Sequence, residues 1–321
     1  METPDFRGLL DRCLNELDPR DLPAGARLSR GKVRDVVDLG DELLITTTDR
    51  ISAFDRVLTT VPCKGEVLNT LSLFWFRQTA DIIANTVREE VSARTVRAAK
   101  CRILPIEVVV RGFLTGSAWR DYQKGSAVSG IRLAPGMRMN QSFDAPLLTP
   151  STKEEKGLHD KPISRAEIVA SGIVERALWE RVERTSLALY RRGSEIAARN
   201  GLILVDTKYE FGLRGGELLL ADEVHTPDSS CYWYAEGSGE LFREGKPQRE
   251  LDKEYLRQWL LARGWKGDGA PPDIPDEIRI EVARKYVTAW QTITGQKFVP
   301  LALGAAEEAA RVRGAMTAPR P

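Results

Sequence analysis

Asp206, Lys208 and Glu210 stand two residues apart in the segment Gly201–Trp233, GLILVDTKYEFGLRGGELLLADEVHTPDSSCYW. In an extended strand alternate side chains share a face, so this spacing turns two carboxylates and one ammonium the same way. Two apolar runs, Leu202–Val205 and Leu218–Leu220, flank Gly215–Gly216, which is the pattern of a β-hairpin. The returning strand brings Asp222 and Glu223 close by. Several carboxylates and a lysine at the end of a buried hairpin are costly unless something pairs them. A magnesium ion carrying nucleotide phosphates would pair them, because Mg²⁺ takes oxygen ligands and usually only one or two carboxylates. The competing reading is a set of strand-end charges facing water. The run TPDSS weighs against it, since that run cannot continue a strand and turns at Pro227. It sets an ordered polar loop beside the acids.

Three other places carry chemistry. SRGK, Ser29–Lys32, puts a glycine and a lysine at a strand entry. Backbone N–H groups there can approach a phosphate, although the Walker spacing is missing and a plain turn is the simpler reading. Glu107 sits inside the apolar run Ile103–Val110 and needs a partner, which an ordinary salt bridge would supply. RGFLTGSAW, Arg111–Trp119, offers a guanidinium, two hydroxyls and backbone donors, a set suited to phosphate or carboxylate. The stretch STKEEKGLHDKPIS, Ser151–Ser164, is dense in ligand-type side chains and has no apolar periodicity.

The elements that must position these groups follow from pattern. Residues 5–17 read as a short amphipathic helix, and 32–48 as a hairpin around Leu39–Gly40–Asp41. Residues 66–79 read as a helix with a core-facing aromatic side. Ile103–Val110 reads as a strand at an edge or hinge, because Pro105 interrupts it. Residues 125–150 form a long ordered loop. Ser164 and Glu167 make a capping box, and helices follow to Arg199, closed by Asn200–Gly201. Further helices are expected near 252–263 and 276–294. The fold class expected is α+β in two lobes, with a β-rich residues 1–110 and a mixed residues 111–321, a nucleotide cleft between them and a disordered tail from about residue 315.

Composition excludes several classes. The 321 residues carry 47 basic and 46 acidic side chains, a net charge of +1, which argues against a general nucleic-acid binder. Four cysteines without a CxxC pair, and two histidines, argue against structural zinc and for a reduced, cytoplasmic protein. No stretch resembles a signal peptide or reaches the ~20 apolar residues of a membrane span.

Taken together the motifs resemble one family, SAICAR synthetase of purine biosynthesis. They are GKVRD at Gly31, TDRISAFD at Thr48, the turn Pro62–Gly65, EVVVRGFLTGSAW at Glu107, TPSTKEE at Thr149, HD at His159, DTKYEFG at Asp206, ADEVHTPDSS at Ala221 and LDKEYLRQWL at Leu251. Each is modest; nine in the family's order are specific. The resemblance implies a two-lobed fold related to ATP-grasp enzymes. It also implies an ATP- and Mg²⁺-dependent ligation of L-aspartate to the carboxylate of an aminoimidazole ribonucleotide, through an acyl phosphate. By matching position, Gly31, Lys32 and Arg34 would hold ATP phosphates and Glu107 would lie by the adenine. Glu210 and Asp222 would be the metal ligands. Arg111, Ser117 and Ser230 would hold the ribonucleotide, with Asp206 at its ribose or base side. Lys153, His159 and Asp160 would line the place where carboxylate and aspartate meet, and Lys208 would neutralise transferred phosphate charge. The implied partners are small molecules, with the protein a monomer or small homo-oligomer.

Three positions depart from the family's pattern. Cys231 stands where an arginine is usual, Leu158 where an acid is usual, and Lys161 where a glutamate is usual. A thiol cannot replace a second guanidinium on a substrate phosphate, although Arg214 or Arg243 would be candidates to compensate. Two other readings follow: a paralogue that ligates aspartate to a different, non-phosphorylated nucleoside carboxylate, and a non-catalytic ATP-binding regulatory module.

Overall fold

The computed structural model describes residues 4–153, 160–251, 254–301 and 303–317. In chain order its first elements are β1 (Arg27–Arg30), β2 (Arg34–Asp38), β3 (Glu42–Thr47), β4 (Arg50–Ala53), β5 (Arg56–Thr60), α1 (Lys64–Gln78), β6 (Val87–Glu90) and β7 (Thr95–Ala99). Next come β8 (Arg102–Ile103), β9 (Ile106–Phe113), α2 (Gly116–Gln123), β10 (Ser142–Leu148), β11 (Ser151–Thr152), α3 (Arg165–Ser171) and α4 (Arg176–Arg199). The remainder are β12 (Leu202–Arg214), β13 (Glu217–Ala221), β14 (Ser230–Tyr234), α5 (Ser238–Arg243), α6 (Glu254–Ala262), α7 (Asp276–Thr294) and α8 (Ala305–Thr317). The fold is α+β.

The chain forms two compact units, each built from separate stretches of sequence. The first comprises Met1–Phe74, Thr86–Lys100 and Asp252–Pro321, and the second Trp75–Asn85 and Cys101–Leu251. The chain therefore changes unit several times rather than once near residue 110. The reason is packing: Leu256, Leu260, Tyr286 and Val287 share a core with Ile51, Val61 and Val67.

In the first unit an antiparallel sheet runs β1-β2-β3-β7-β6, beside the β4–β5 hairpin. The expected hairpin at 32–48 is β2–β3, with Val36 opposite Ile45. The helix expected over 5–17 is only a 3-10 turn, Arg7–Arg12. Its downstream donors are captured by buried aspartates instead: Leu14 N donates to Asp49 and Leu17 N to Asp35, both at 2.7 Å. The expected disordered tail from about 315 is helical through Thr317. Val312 and Ala315 of α8 pack with Leu17, Leu22, Val37 and Leu44. Residues 318–321 lie outside the described residues.

In the second unit the sheet order is β10-β9-β12-β13, with β14 and β8 also on β12 and β11 on β9. β9 pairs on both sides, with β10 and β11 and with β12, so it is not an edge strand. Pro105 falls just before β9, where its missing N–H removes no ladder bond. The signature hairpin is β12–β13, turning at Gly215–Gly216.

One face of this sheet packs on α4, whose buried side runs Trp179, Val182, Ser186, Leu189, Tyr190, Gly193 and Ile196. A β-bulge at Val205 interrupts the pairing of β12 with β14 between Leu204 and Asp206. Tyr190 Oη donates to the carbonyls of Leu204 at 2.6 Å and Val205 at 3.3 Å. Gly112 makes room for that hydroxyl, since a Cβ there would lie 2.2 Å from it.

His225 is wholly buried on this helix-covered side, and burial pushes its pKa down from 6.5 to about 3. The unfolded chain then binds a proton that the folded chain does not. Stability contributed above pH 6.5 is lost as pH falls towards about 3, with a limiting slope of about 1.4 kcal/mol per pH unit. The urea midpoint of His225→Gln should fall less steeply over that window than that of the wild type. Parallel curves would show that His225 does not set the acid limb.

Candidate active site

The face of β12 opposite α4 carries Asp206, Lys208 and Glu210. In register, Asp206 lies between Arg111 of β9 and Cys231 of β14. Arg111 is held by three bonds, each 3.0 Å: Nε donates to Thr149 Oγ1, Nη1 to Asp206 Oδ2 and Nη2 to Ser117 Oγ. Its fork is thus pre-set at one end of the row. Ser117 sits in the first turn of α2, which begins at Gly116.

One step along, Lys208 Nζ donates to Glu107 Oε1 at 2.8 Å and lies 3.8 Å from Glu210 Oε1. Lys153 also pairs with Glu210. Burial disfavours the charge on Lys208, but Glu107, Glu210 and Asp222 outweigh it and hold the ammonium pKa up. At Glu107 burial wins over Lys208, and its carboxyl is pushed above the usual range. The expected partner of Glu107 is therefore Lys208, from the next strand.

Glu210 is opposite Ala221, and Asp222, the next residue, has a left-handed backbone and lies near enough to Lys208 to help hold its ammonium charged. These two carboxylates fit a magnesium ion that draws its other ligands from phosphate and water. Among the described residues no group of three or more His, Cys, Asp or Glu side chains could hold a metal by itself. Glu223, expected in the same cluster, accepts a bond from Thr226 Oγ1 at 2.5 Å.

In the first unit, Arg50 fixes the SRGK turn. Its Nε donates to the Lys32 carbonyl at 3.0 Å and Nη2 to the Gly31 carbonyl at 3.1 Å. Asp35 pairs with Arg50 at 2.7 Å. With those carbonyls held by Arg50, Lys32 is half exposed and pairs with Asp55 at 2.5 Å. Arg34 begins β2, opposite Thr47.

A sequence profile described as SAICAR synthetase matches residues 27–272. The chain belongs to the SAICAR synthetase family. Its relatives include the phosphoribosylaminoimidazole-succinocarboxamide synthase of Legionella pneumophila, 45% identical over 295 residues, 89% of this chain and 92% of that one. The synthase of Bacteroides thetaiotaomicron is 44% identical over 282 residues, 86% of this chain and 90% of that one. A solved structure of SAICAR synthase from Saccharomyces cerevisiae, complexed with SAICAR, superposes with a TM-score of 0.78 at 32% identity, covering 89% of this chain and all of that one. The SAICAR synthetase family consists of ATP-dependent carbon–nitrogen ligases of purine biosynthesis.

Against the residues expected for a SAICAR synthetase site, the sheet brings together Arg111, Ser117, Asp206, Glu107, Lys208, Lys153, Glu210 and Asp222. Ser230 is not on this face: it is opposite Thr207, buried, and its Oγ donates to Thr207 Oγ1 at 2.7 Å. Asp160 is exposed, beside Lys161, whose carbonyl accepts from Thr152 N at 2.9 Å. His159 and Leu158 lie outside the described residues. Arg214 ends β12 opposite Glu217, eight residues from Asp206 and so about 26 Å along the strand. It cannot stand in for an arginine at Cys231. Arg243 is exposed on α5, 4.0 Å from Glu240.

Sequence reasoning missed Thr149, Asp55 and Arg50 as supporting groups. Their motifs, TPSTKEE and TDRISAFD, carried the signal, but nothing in spacing alone ties them to Arg111 or Lys32. The fork at Arg111 yields a test. Arg111→Lys should raise the KM of an anionic nucleotide substrate about tenfold and that of ATP much less, because lysine keeps the charge and loses the fork. Equal changes in both constants would remove Arg111 from the substrate's anion.

Proposed function

We propose that this protein ligates L-aspartate to the carboxylate of carboxyaminoimidazole ribonucleotide, giving SAICAR, ADP and phosphate. The arrangement that supports this most is the row on one sheet face: an anion fork at Arg111 and Ser117, then Asp206, then Lys208 and Glu107, then Glu210 with Asp222. A carboxylate is a poor electrophile, and phosphorylation supplies a leaving group. Its oxygen attacks the γ-phosphorus of ATP and ADP departs. The amine of aspartate then attacks the acyl carbon, loses a proton and expels phosphate.

That sequence needs placement and charge compensation rather than a protein nucleophile. Arg111 and Ser117 hold the ribonucleotide phosphate, and Asp206 orients its ribose. Lys208, kept charged by its carboxylate neighbours, offsets charge on the transferred phosphoryl group. Lys153 and Asp160 line the meeting place of carboxylate and amine, a role the family resemblance also gives His159, which lies outside the described residues. Gly31, Lys32 and Arg34 take the ATP phosphates; Glu107, expected by the adenine, is bonded to Lys208 at 2.8 Å and so belongs with the transferred phosphoryl group instead. Glu210 and Asp222 would hold Mg²⁺, which when bound neutralises phosphate charge. The substrates are small molecules, and the protein acts in the cytoplasm as a monomer or small homo-oligomer. No helix among the described residues is long and apolar enough to cross a membrane.

The test is ADP release with the carboxylated ribonucleotide, with and without L-aspartate. Release that requires both substrates supports the proposal. Nucleotide binding with no aspartate-dependent release would favour a regulatory module instead. One observation favours a second substrate: Cys231 shares the row with Asp206 and Arg111, where a second guanidinium would otherwise stand. A nucleoside carboxylate without a phosphate fits that site.

A further inference from the structure

The loop from Asp222 to Ser229 has two feet, and both stand on the helix-covered side of β12. At one foot, His225 Nε2 lies 2.5 Å from Tyr209 Oη. The imidazole is edge-on to Trp75, with ring centroids 4.7 Å apart, and Tyr232 Oη donates to the His225 carbonyl at 2.8 Å. Gly193 of α4 leaves space for the ring, since a Cβ there would lie 2.4 Å from its Cε1. At the other foot, Ser230 Oγ donates to Thr207 Oγ1, and Lys208 N donates to the Ser229 carbonyl at 3.0 Å.

Thr207 and Tyr209 alternate with Asp206, Lys208 and Glu210 along the strand. The strand therefore presents Glu210 on one side and grips the loop that carries Asp222 on the other. The loop backbone needs such a grip. Asp222 and His225 both have left-handed backbones, with φ of 61° and 51°. Residues with a Cβ rarely adopt that conformation, and it persists where surrounding contacts over-determine it. The histidine is also an expensive way to fill the space. Its Nδ1 is buried with no hydrogen-bond partner among the described residues, a cost carried alongside the bond that Nε2 makes to Tyr209.

We propose that His225 and Tyr209 are positioning residues that hold Asp222 beside Glu210 and thereby set the metal affinity of the site. This rests on Glu210 and Asp222 being the metal ligands. The ladder pairing of Glu210 with Ala221 holds the start of the loop, and the hydroxyl–imidazole bond ties its middle to the same strand as Glu210. Outer groups of this kind typically change metal affinity about 10- to 100-fold when removed.

The experiment titrates Mn²⁺ into protein with ADP present and reads bound and free Mn²⁺ by electron paramagnetic resonance. Wild type is compared with His225→Leu, His225→Gln, Tyr209→Phe, Asp222→Ala and the double variant Asp222→Ala/His225→Leu. The expected result is Mn²⁺ binding weakened about tenfold or more by His225→Leu and Tyr209→Phe, with recovery in His225→Gln, whose amide can meet Tyr209. The double variant should bind no more weakly than Asp222→Ala alone, because the effect passes through Asp222. A purely structural role would lower stability with unchanged Mn²⁺ affinity, or add its effect to that of Asp222→Ala, and either result overturns the proposal. If Asp222→Ala itself binds Mn²⁺ like wild type, the metal reading falls and takes the proposal with it. If Asp222→Ala weakens binding while His225→Leu and Tyr209→Phe do not, only the positioning role is lost. Should His225→Leu fail to fold, Tyr209→Phe decides, since it removes one oxygen and keeps the ring.

Discussion

Asp222→Ala and Glu210→Ala should each reduce metal-dependent turnover about 10³-fold or more, with the far-ultraviolet circular dichroism unchanged. The estimate takes metal stabilisation of transferred charge as several kcal/mol, at one decade per 1.36 kcal/mol. The two substitutions should differ in their side effects. Glu210 is nearly buried and meets both Lys153 and Lys208, so its removal takes counter-charge from two ammonium groups. Asp222→Ala leaves both of those pairs in place and is the cleaner test. Mg²⁺-dependent ADP release and circular dichroism would be measured on both. Either variant retaining turnover within a few-fold of wild type would exclude that residue from the metal site.

Cys231→Arg should change substrate preference. If the natural substrate carries a phosphate, a guanidinium in the row with Asp206 and Arg111 gains a charge-assisted contact. That is worth about 1.5–3 kcal/mol, or about 10- to 150-fold in kcat/KM. If the natural substrate has no phosphate, activity on it should fall. The new arginine would be one strand from Asp206 and would compete with Arg111, whose Nη1 now holds that carboxylate at 3.0 Å. Wild type and Cys231→Arg would be assayed on the phosphorylated intermediate and on its dephosphorylated nucleoside. A wild type already efficient on the phosphorylated substrate and unimproved by the substitution would show that position 231 does not tune substrate choice.

Most of the site was legible because it lies on strands, where a period of two assigns faces directly. Asp206, Lys208 and Glu210 could be grouped from spacing, and the Gly215–Gly216 turn placed Asp222 with them. Cross-strand partners were not legible. Nothing local says that Glu107 meets Lys208, a contact spanning 101 positions in sequence. Ser230 was misplaced because its neighbour Cys231, not Ser230, is in register with Asp206. The terminal helix was missed for a different reason. AAEEAARVRGAMT has few large apolar residues, and its buried stripe is largely small: Ala309, Val312 and Ala315. The early helix failed because burial of Asp35 and Asp49 redirected backbone donors, a tertiary effect that no local pattern records.

The bulge at Val205 also sets the parity of the whole site. Leu202 and Leu204 point towards α4, and in an unbroken strand Asp206, Lys208 and Glu210 would follow them inward. The one extra residue shifts the alternation by a half-period, so three ionisable side chains emerge on the other side. The chain between Leu204 and Asp206 therefore works like a reading frame. Removing a single residue there would turn Asp206, Lys208 and Glu210 towards α4 and Thr207 and Tyr209 away from it. Insertions at the Gly215–Gly216 tip would leave that frame untouched. Length variation among relatives is therefore tolerable at one end of this hairpin and not at the other.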